Sequence, residues 1–109
     1  MKTKILLLSF IAIVSSCSDT IEQMPDGILD EAGMISVIID IQILDAAQKS
    51  LPLSGDKQKA MQDTTYTIIY NKHGTTHAEF DSSMRVYSHY PEKMGAIMEE
   101  VAKRINKSK

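Results

Sequence analysis

Between Asp30 and Lys49 the chain runs for twenty residues without a proline and with one early glycine, Gly33. That is long for a strand and ordinary for a helix. The β-branched alternation Val37, Ile39, Ile41, Ile43 also fits a strand. Length, and the helix-forming Ala46-Ala47-Gln48-Lys49 that follows, favour a helix with Asp30 as its N-cap. At 3.6 residues per turn, Met34, Val37, Ile38, Ile41 and Leu44 line one apolar face, and Ile35, Ile39, Ile43 and Ala46 line another. A helix apolar on two sides is buried on two sides. In a short chain it is either the central element of a small bundle or it closes its second face on another molecule. Ile35, Ile39 and Ile43 are the candidates for that second contact.

How short the chain is depends on its start. Lys2 and Lys4 precede the apolar run Ile5 to Val14, which ends in Ser15-Ser16-Cys17. A bilayer-spanning helix needs about 20 apolar residues, and this run is half as long, the length of a signal-peptide core. Val14-Ser15-Ser16-Cys17 resembles the lipobox of bacterial lipoproteins, in which the cysteine is acylated and becomes the new N-terminus. The alternative is an ordinary secretory signal that leaves a free cysteine. Cleavage before Cys17 removes 16 of the 109 residues. The 93 that remain carry 10 basic and 14 acidic side chains, a net charge near −4 that disfavours a nucleic-acid surface. A single cysteine forms no internal disulfide. Two or three acyl chains on Cys17 would hold the domain at a membrane without a spanning helix. Residues 17–27, polar and acidic with Pro25 and Gly27 near the end, read as a tether. The expected location is the cell envelope, facing the periplasm, with surface display left open because only Asp19 lies close to the cysteine.

Three more segments follow. Leu51-Pro52-Leu53-Ser54-Gly55 is a turn. From Asp56 to His73, the residues Tyr66, Ile69, Tyr70 and His73 form a helical seam that stops at Gly74. Thr64, Thr65 and Thr67 weaken that helix, and a strand over Thr64 to Tyr70, giving an α+β fold, is the structural alternative. Thr76-x-x-Glu79 is a capping-box signature that starts a third helix at His77, with Phe80, Met84 and Tyr87 inward. Pro91 suits the first position of a fourth, whose stripe is Met94, Ile97, Met98, Val101 and Ile105, with Glu99–Lys103 and Glu100–Arg104 as i, i+4 pairs. The expected fold is all-α, a bundle of about four helices over residues 28–109.

Several short stretches resemble a known family. They are Ile28-Leu29 with Met34, Ile38-Ile39-Asp40-Ile41 and Ala46, and Tyr66 ahead of Ile69-Tyr70-Asn71-Lys72-His73-Gly74. Phe80-Asp81-Ser82-Ser83, Tyr87-Ser88 and Pro91 complete the set. Together they resemble the domain of unknown function 4296, a family of lipoproteins typical of Bacteroidota. Tyr70 stands where a phenylalanine is expected, and His73 where an aromatic often precedes the glycine. The resemblance implies a small helical domain on a lipid anchor and brings no catalytic residue with it.

The chemically suggestive residues are His73, His77, Glu79, Asp81 and His89. His73 and His77 are four apart, but Gly74-Thr75-Thr76 between them is a turn, so helical spacing does not aim them at one metal. Ser82, Ser83 or Ser88 beside a histidine and an aspartate lacks the strand-to-helix elbow and the Gly-rich loop of a hydrolase. No cofactor is implied. Asp40 and Asp45 lie on the most apolar helix, where a buried carboxylate needs a partner; for Asp45, Arg85 is a candidate. Met34, Met61, Met84, Met94 and Met98 read as core. The function expected is non-enzymatic, a lipid-anchored module that holds a protein partner or a second copy of itself. The alternative is a small ligand-binding, metal-binding or hydrolytic module using His73, His77 and Asp81, with Tyr70, His73, Asp81 and Tyr87 lining a cleft between the second and third helices.

Overall fold

The computed structural model describes residues 24–109. The signal segment, Cys17 and most of the 17–27 tether lie outside the described residues. Four helices follow in order: α1 (Glu31–Lys49), α2 (Gly55–Lys72), α3 (His77–Ser88) and α4 (Pro91–Lys107). The fold is a small all-α bundle, and no strand forms among the described residues. The stretch from Thr64 to Tyr70 is helical. Its threonine hydroxyls donate to the carbonyls four residues earlier, Thr64 to Ala60, Thr65 to Met61 and Thr67 to Asp63. The groups that weaken helix propensity are thus satisfied inside the helix, and Ile69 and Tyr70 at its end are buried.

The ends are set by local chemistry. Asp30 accepts from the Gly33 N–H at 2.7 Å, closing the start of α1. A Cβ on Gly33 would lie 3.0 Å from the Asp30 carboxylate, so the cap depends on the missing side chain. At the end of α2 the Thr75 N–H reaches the Tyr70 carbonyl and the Gly74 N–H reaches that of Asn71. Gly74 adopts φ +67°, the left-handed residue that this paired closure requires. Thr76 caps α3 by accepting from the Glu79 N–H. The reciprocal half of the capping box does not form, because the Glu79 carboxylate takes the Thr75 hydroxyl at 2.9 Å. Pro91 opens α4 at its first turn, with Tyr90 before it at φ −125° and ψ 76°, outside both the helical and the extended regions.

α1 is the central helix. Met34, Ile35 and Ile38 pack with Tyr87 of α3 and with Ile97 and Val101 of α4, while Val37 packs with Ile69 and Tyr70 of α2. Leu29 and Phe80 touch both clusters and join them into one core. The two faces therefore divide differently from the helical-wheel reading: Ile35 lies with Met34 and Ile38, and Val37, Ile41 and Leu44 turn to α2. Met61 and Met98 are exposed rather than core, being at the margins of their stripes. Of the two pairs expected on α4, Glu100–Arg104 closes at 2.8 Å, and Glu99–Lys103 makes no ion pair among the described residues.

The segment before α1 is built into the fold. The Leu29 N–H donates to the Ser83 hydroxyl at 2.9 Å, and the Tyr87 hydroxyl donates to the Leu29 carbonyl at 3.0 Å. Ser83 in turn donates to the Glu79 carbonyl at 2.6 Å. Both Ser83 and Tyr87 are 0% exposed. Burial, then the negative charges of Glu31 and Asp30, push the Tyr87 phenol up to about 12, so it stays a donor throughout the ordinary pH range.

Candidate functional site

The expected cleft of Tyr70, His73, Asp81 and Tyr87 is not formed. Tyr87 belongs to the α1–α3–α4 cluster and Tyr70 to the α1–α2 cluster. Tyr70 stacks at a tilt on Phe80, with centroids 5.6 Å apart, and meets His77 edge-on at 5.8 Å. Asp81 lies on the surface and pairs with Arg85 at 2.9 Å. That contact takes the cation that had been a candidate partner for Asp45.

His73 closes α2 and turns toward α1, where its Nε2 lies 2.7 Å from Asp40 Oδ2. A carboxylate only accepts, so Nε2 carries the proton here. The Lys72 ammonium reaches the same oxygen at 2.8 Å. Burial alone would raise the Asp40 carboxyl, but the bonds from Lys72 and His73 outweigh it and hold it below the ordinary carboxylate value. This knot joins the middle of α1 to the end of α2. His77 is exposed in the first turn of α3, and His89 caps its end. The three histidines thus have three separate surroundings. Among the described residues, no group of three or more His, Cys, Asp or Glu stands in metal-ligating proximity.

The polar groups that do converge lie elsewhere, between the C-terminal part of α1 and the N-terminal part of α2. Asp45, Gln48, Lys49, Gln58 and Gln62 line a cavity of about 200 Å³ there. One wall is a directed chain, in which Gln62 Nε2 donates to the Tyr66 hydroxyl at 3.1 Å and that hydroxyl donates to Asp45 Oδ1 at 2.7 Å. Burial and the bond to Asp45 raise the Tyr66 phenol, which keeps its proton in place. Gln48 is 4% exposed, and its Nε2 has no hydrogen-bond partner. The sequence signal for this site was present. Gln48 continues the stripe Val37, Ile41, Leu44 that turns to α2, so an amide stands where the pattern asks for an apolar side chain.

A family model, the domain of unknown function DUF4296, matches residues 25–109. The chain belongs to the DUF4296 family. That match begins just after the start of the described residues and takes in the pinned Leu29, all four helices and the α1–α2 cavity. Neither the curated proteins nor the solved structures contain a match to the chain. No helix of this DUF4296 domain among the described residues is long and apolar enough to cross a membrane.

The three isoleucines proposed for an intermolecular contact separate in the DUF4296 fold. Ile35 is buried at 9% exposure and Ile39 is half-buried against the same cluster, because α4 covers that side of α1. They are core positions, and this corrects their reading as candidates for contact with another molecule. Ile43, beyond the reach of α4, is 50% exposed, and on α2 Ile68 is 60% exposed.

Proposed function

We propose that this DUF4296 chain is a lipid-anchored module of the cell envelope that acts by contact with another protein, a second copy included. Cys17 carries the lipid, after cleavage of residues 1–16. The observation that carries the contact reading is that Ile43 and Ile68 stay half or more exposed although all four helices have their internal cover. Burying what remains exposed of these two side chains at an interface would contribute about 1.5–3 kcal/mol before the costs of association. The placement of Leu29 supports the anchored reading. Only six residues separate Cys17 from Met24, so the domain would sit within about 25 Å of its acyl chains at full extension.

The groups suggested for a hydrolytic or metal-binding alternative have structural partners: His73 holds Asp40 and Asp81 holds Arg85. Two experiments test the proposal. Fractionation should place the wild-type chain with membranes and Cys17→Ala in the soluble fraction; a Cys17→Ala protein retained in membranes refutes the anchor. Chemical crosslinking in intact cells should give a discrete adduct that the Ile43→Asp, Ile68→Asp double variant loses while keeping its helical circular-dichroism spectrum. An unchanged adduct refutes the contact surface.

A further inference from the structure

We propose that the α1–α2 cleft around Gln48 is a binding site for a small zwitterion, in chemistry a free α-amino acid. Two independent features converge there. The first is a concavity whose five lining residues, Asp45, Gln48, Lys49, Gln58 and Gln62, are all polar. The second is the Gln48 amide, nine-tenths buried, with a donor that nothing in the fold satisfies. A buried donor without an acceptor is disfavoured, and native structures retain one where a bound group completes it.

The lining divides by sign. Asp45 spends one carboxylate oxygen on the Tyr66 hydroxyl, which leaves the other as an acceptor. Gln62 donates its amide nitrogen to the same hydroxyl, so its amide oxygen is a second acceptor. This side suits an ammonium. Lys49, with its ammonium, is a donor that suits a carboxylate, and the buried, unpartnered Gln48 NH₂ adds a second once its side chain turns into the cleft. Lys49 stands one turn beyond Asp45 on α1, so opposite charges lie about 5–6 Å apart at their bases. A free α-amino acid carries its ammonium and its carboxylate on one carbon, so a single small molecule can meet both sides. The cavity, at about 200 Å³, is below the roughly 300–1,000 Å³ of drug-sized sites and suits a ligand of amino-acid size. The wall chain through Tyr66 fixes the acceptor side before any ligand arrives, and this pre-organisation lowers the cost of binding.

The proposal is independent of the anchor and of the contact surface, and each can fail alone. It is tested on the full chain in detergent micelles with ¹⁵N label on its five glutamines, Gln23, Gln42, Gln48, Gln58 and Gln62. Glycine, L-alanine, L-glutamate and L-lysine are the probes, with acetate, methylammonium and glucose as controls. At least one amino acid should shift the side-chain signals of Gln48 and Gln62 saturably at millimolar concentration or below, leaving Gln23 and Gln42 unmoved. Acetate and methylammonium alone should bind at least tenfold more weakly. Asp45→Asn and Lys49→Met should each weaken binding tenfold or more with the rest of the spectrum unchanged. No saturable shift with any amino acid, an equal response to acetate or methylammonium, or a response to glucose alone would each overturn the proposal. The first of these outcomes would leave Gln48 facing water only.

Discussion

The pin on Leu29 makes a prediction that can be worked from individual bonds. Ser83→Ala removes the acceptor of the Leu29 N–H and leaves that donor in a half-buried place next to a fully buried side chain. An orphaned buried donor costs about 1–3 kcal/mol, and the methyl left by the substitution fills most of the space, so the expected loss is about 2 kcal/mol. The Glu79 carbonyl loses the hydroxyl but stays within the helix ladder, which adds little. Tyr87→Phe keeps the ring in the core and deletes only the donor to the Leu29 carbonyl, for about 1 kcal/mol. For a domain of this size, 2 kcal/mol lowers Tm by roughly 10 °C. Urea unfolding followed at 222 nm gives both values, and the double variant should lose less than the sum by about 0.5 kcal/mol or more, because both bonds hold one residue. A Ser83→Ala loss below about 0.5 kcal/mol, or strict additivity, would refute the idea that the two bonds act as one clamp.

Three further outcomes are expected. Gln48→Met removes an unsatisfied buried amide at nearly constant volume and should stabilise the ligand-free protein by about 1 kcal/mol in the same urea assay; a loss of that size would mean the amide is satisfied. Asp40 has a lowered pKa in the folded state, so its contribution is present above the ordinary aspartate value of 3.8 and fades as pH falls through the folded value. Asp40→Asn should therefore cost about 1 kcal/mol at pH 7, the Lys72 partner being largely exposed, and progressively less as pH falls through the folded value, as read from paired denaturation curves. At Gly74 an added Cβ meets nothing within 4 Å, so Gly74→Ala should cost the left-handed backbone alone, about 1 kcal/mol, and Gly74→Asn should cost less in thermal melts.

The parts of the fold legible in the sequence were those written in local chemistry. Asp30, Thr76 and Gly74 each start or terminate a helix through bonds to residues within five positions, Pro91 starts one through its fixed φ, and the structure uses all four in that way. Periodicity located the seams of α2, α3 and α4. It could not say which seam meets which. Tyr70 and Tyr87 share a chemistry and nearly a face, yet α1 passes between their clusters, and only tertiary placement decides that. Ser83 and Gln48 were passed over for one physical reason. A polar residue on an apolar stripe reads as the polar margin of a helix, until the partner that buries it is known.

The chain makes α1 first and α4 last, and α4 supplies Ile97 and Val101 against Met34, Ile35 and Ile38. Among the described helices, the first consequently has one side bare until α4 has been made. A product cut short before Ile97 would display that side permanently, as the unfolded or half-collapsed surface that proteases and chaperones select. The order of these helices therefore acts as a check on synthesis: only a chain carried through α4 hides the apolar side of α1.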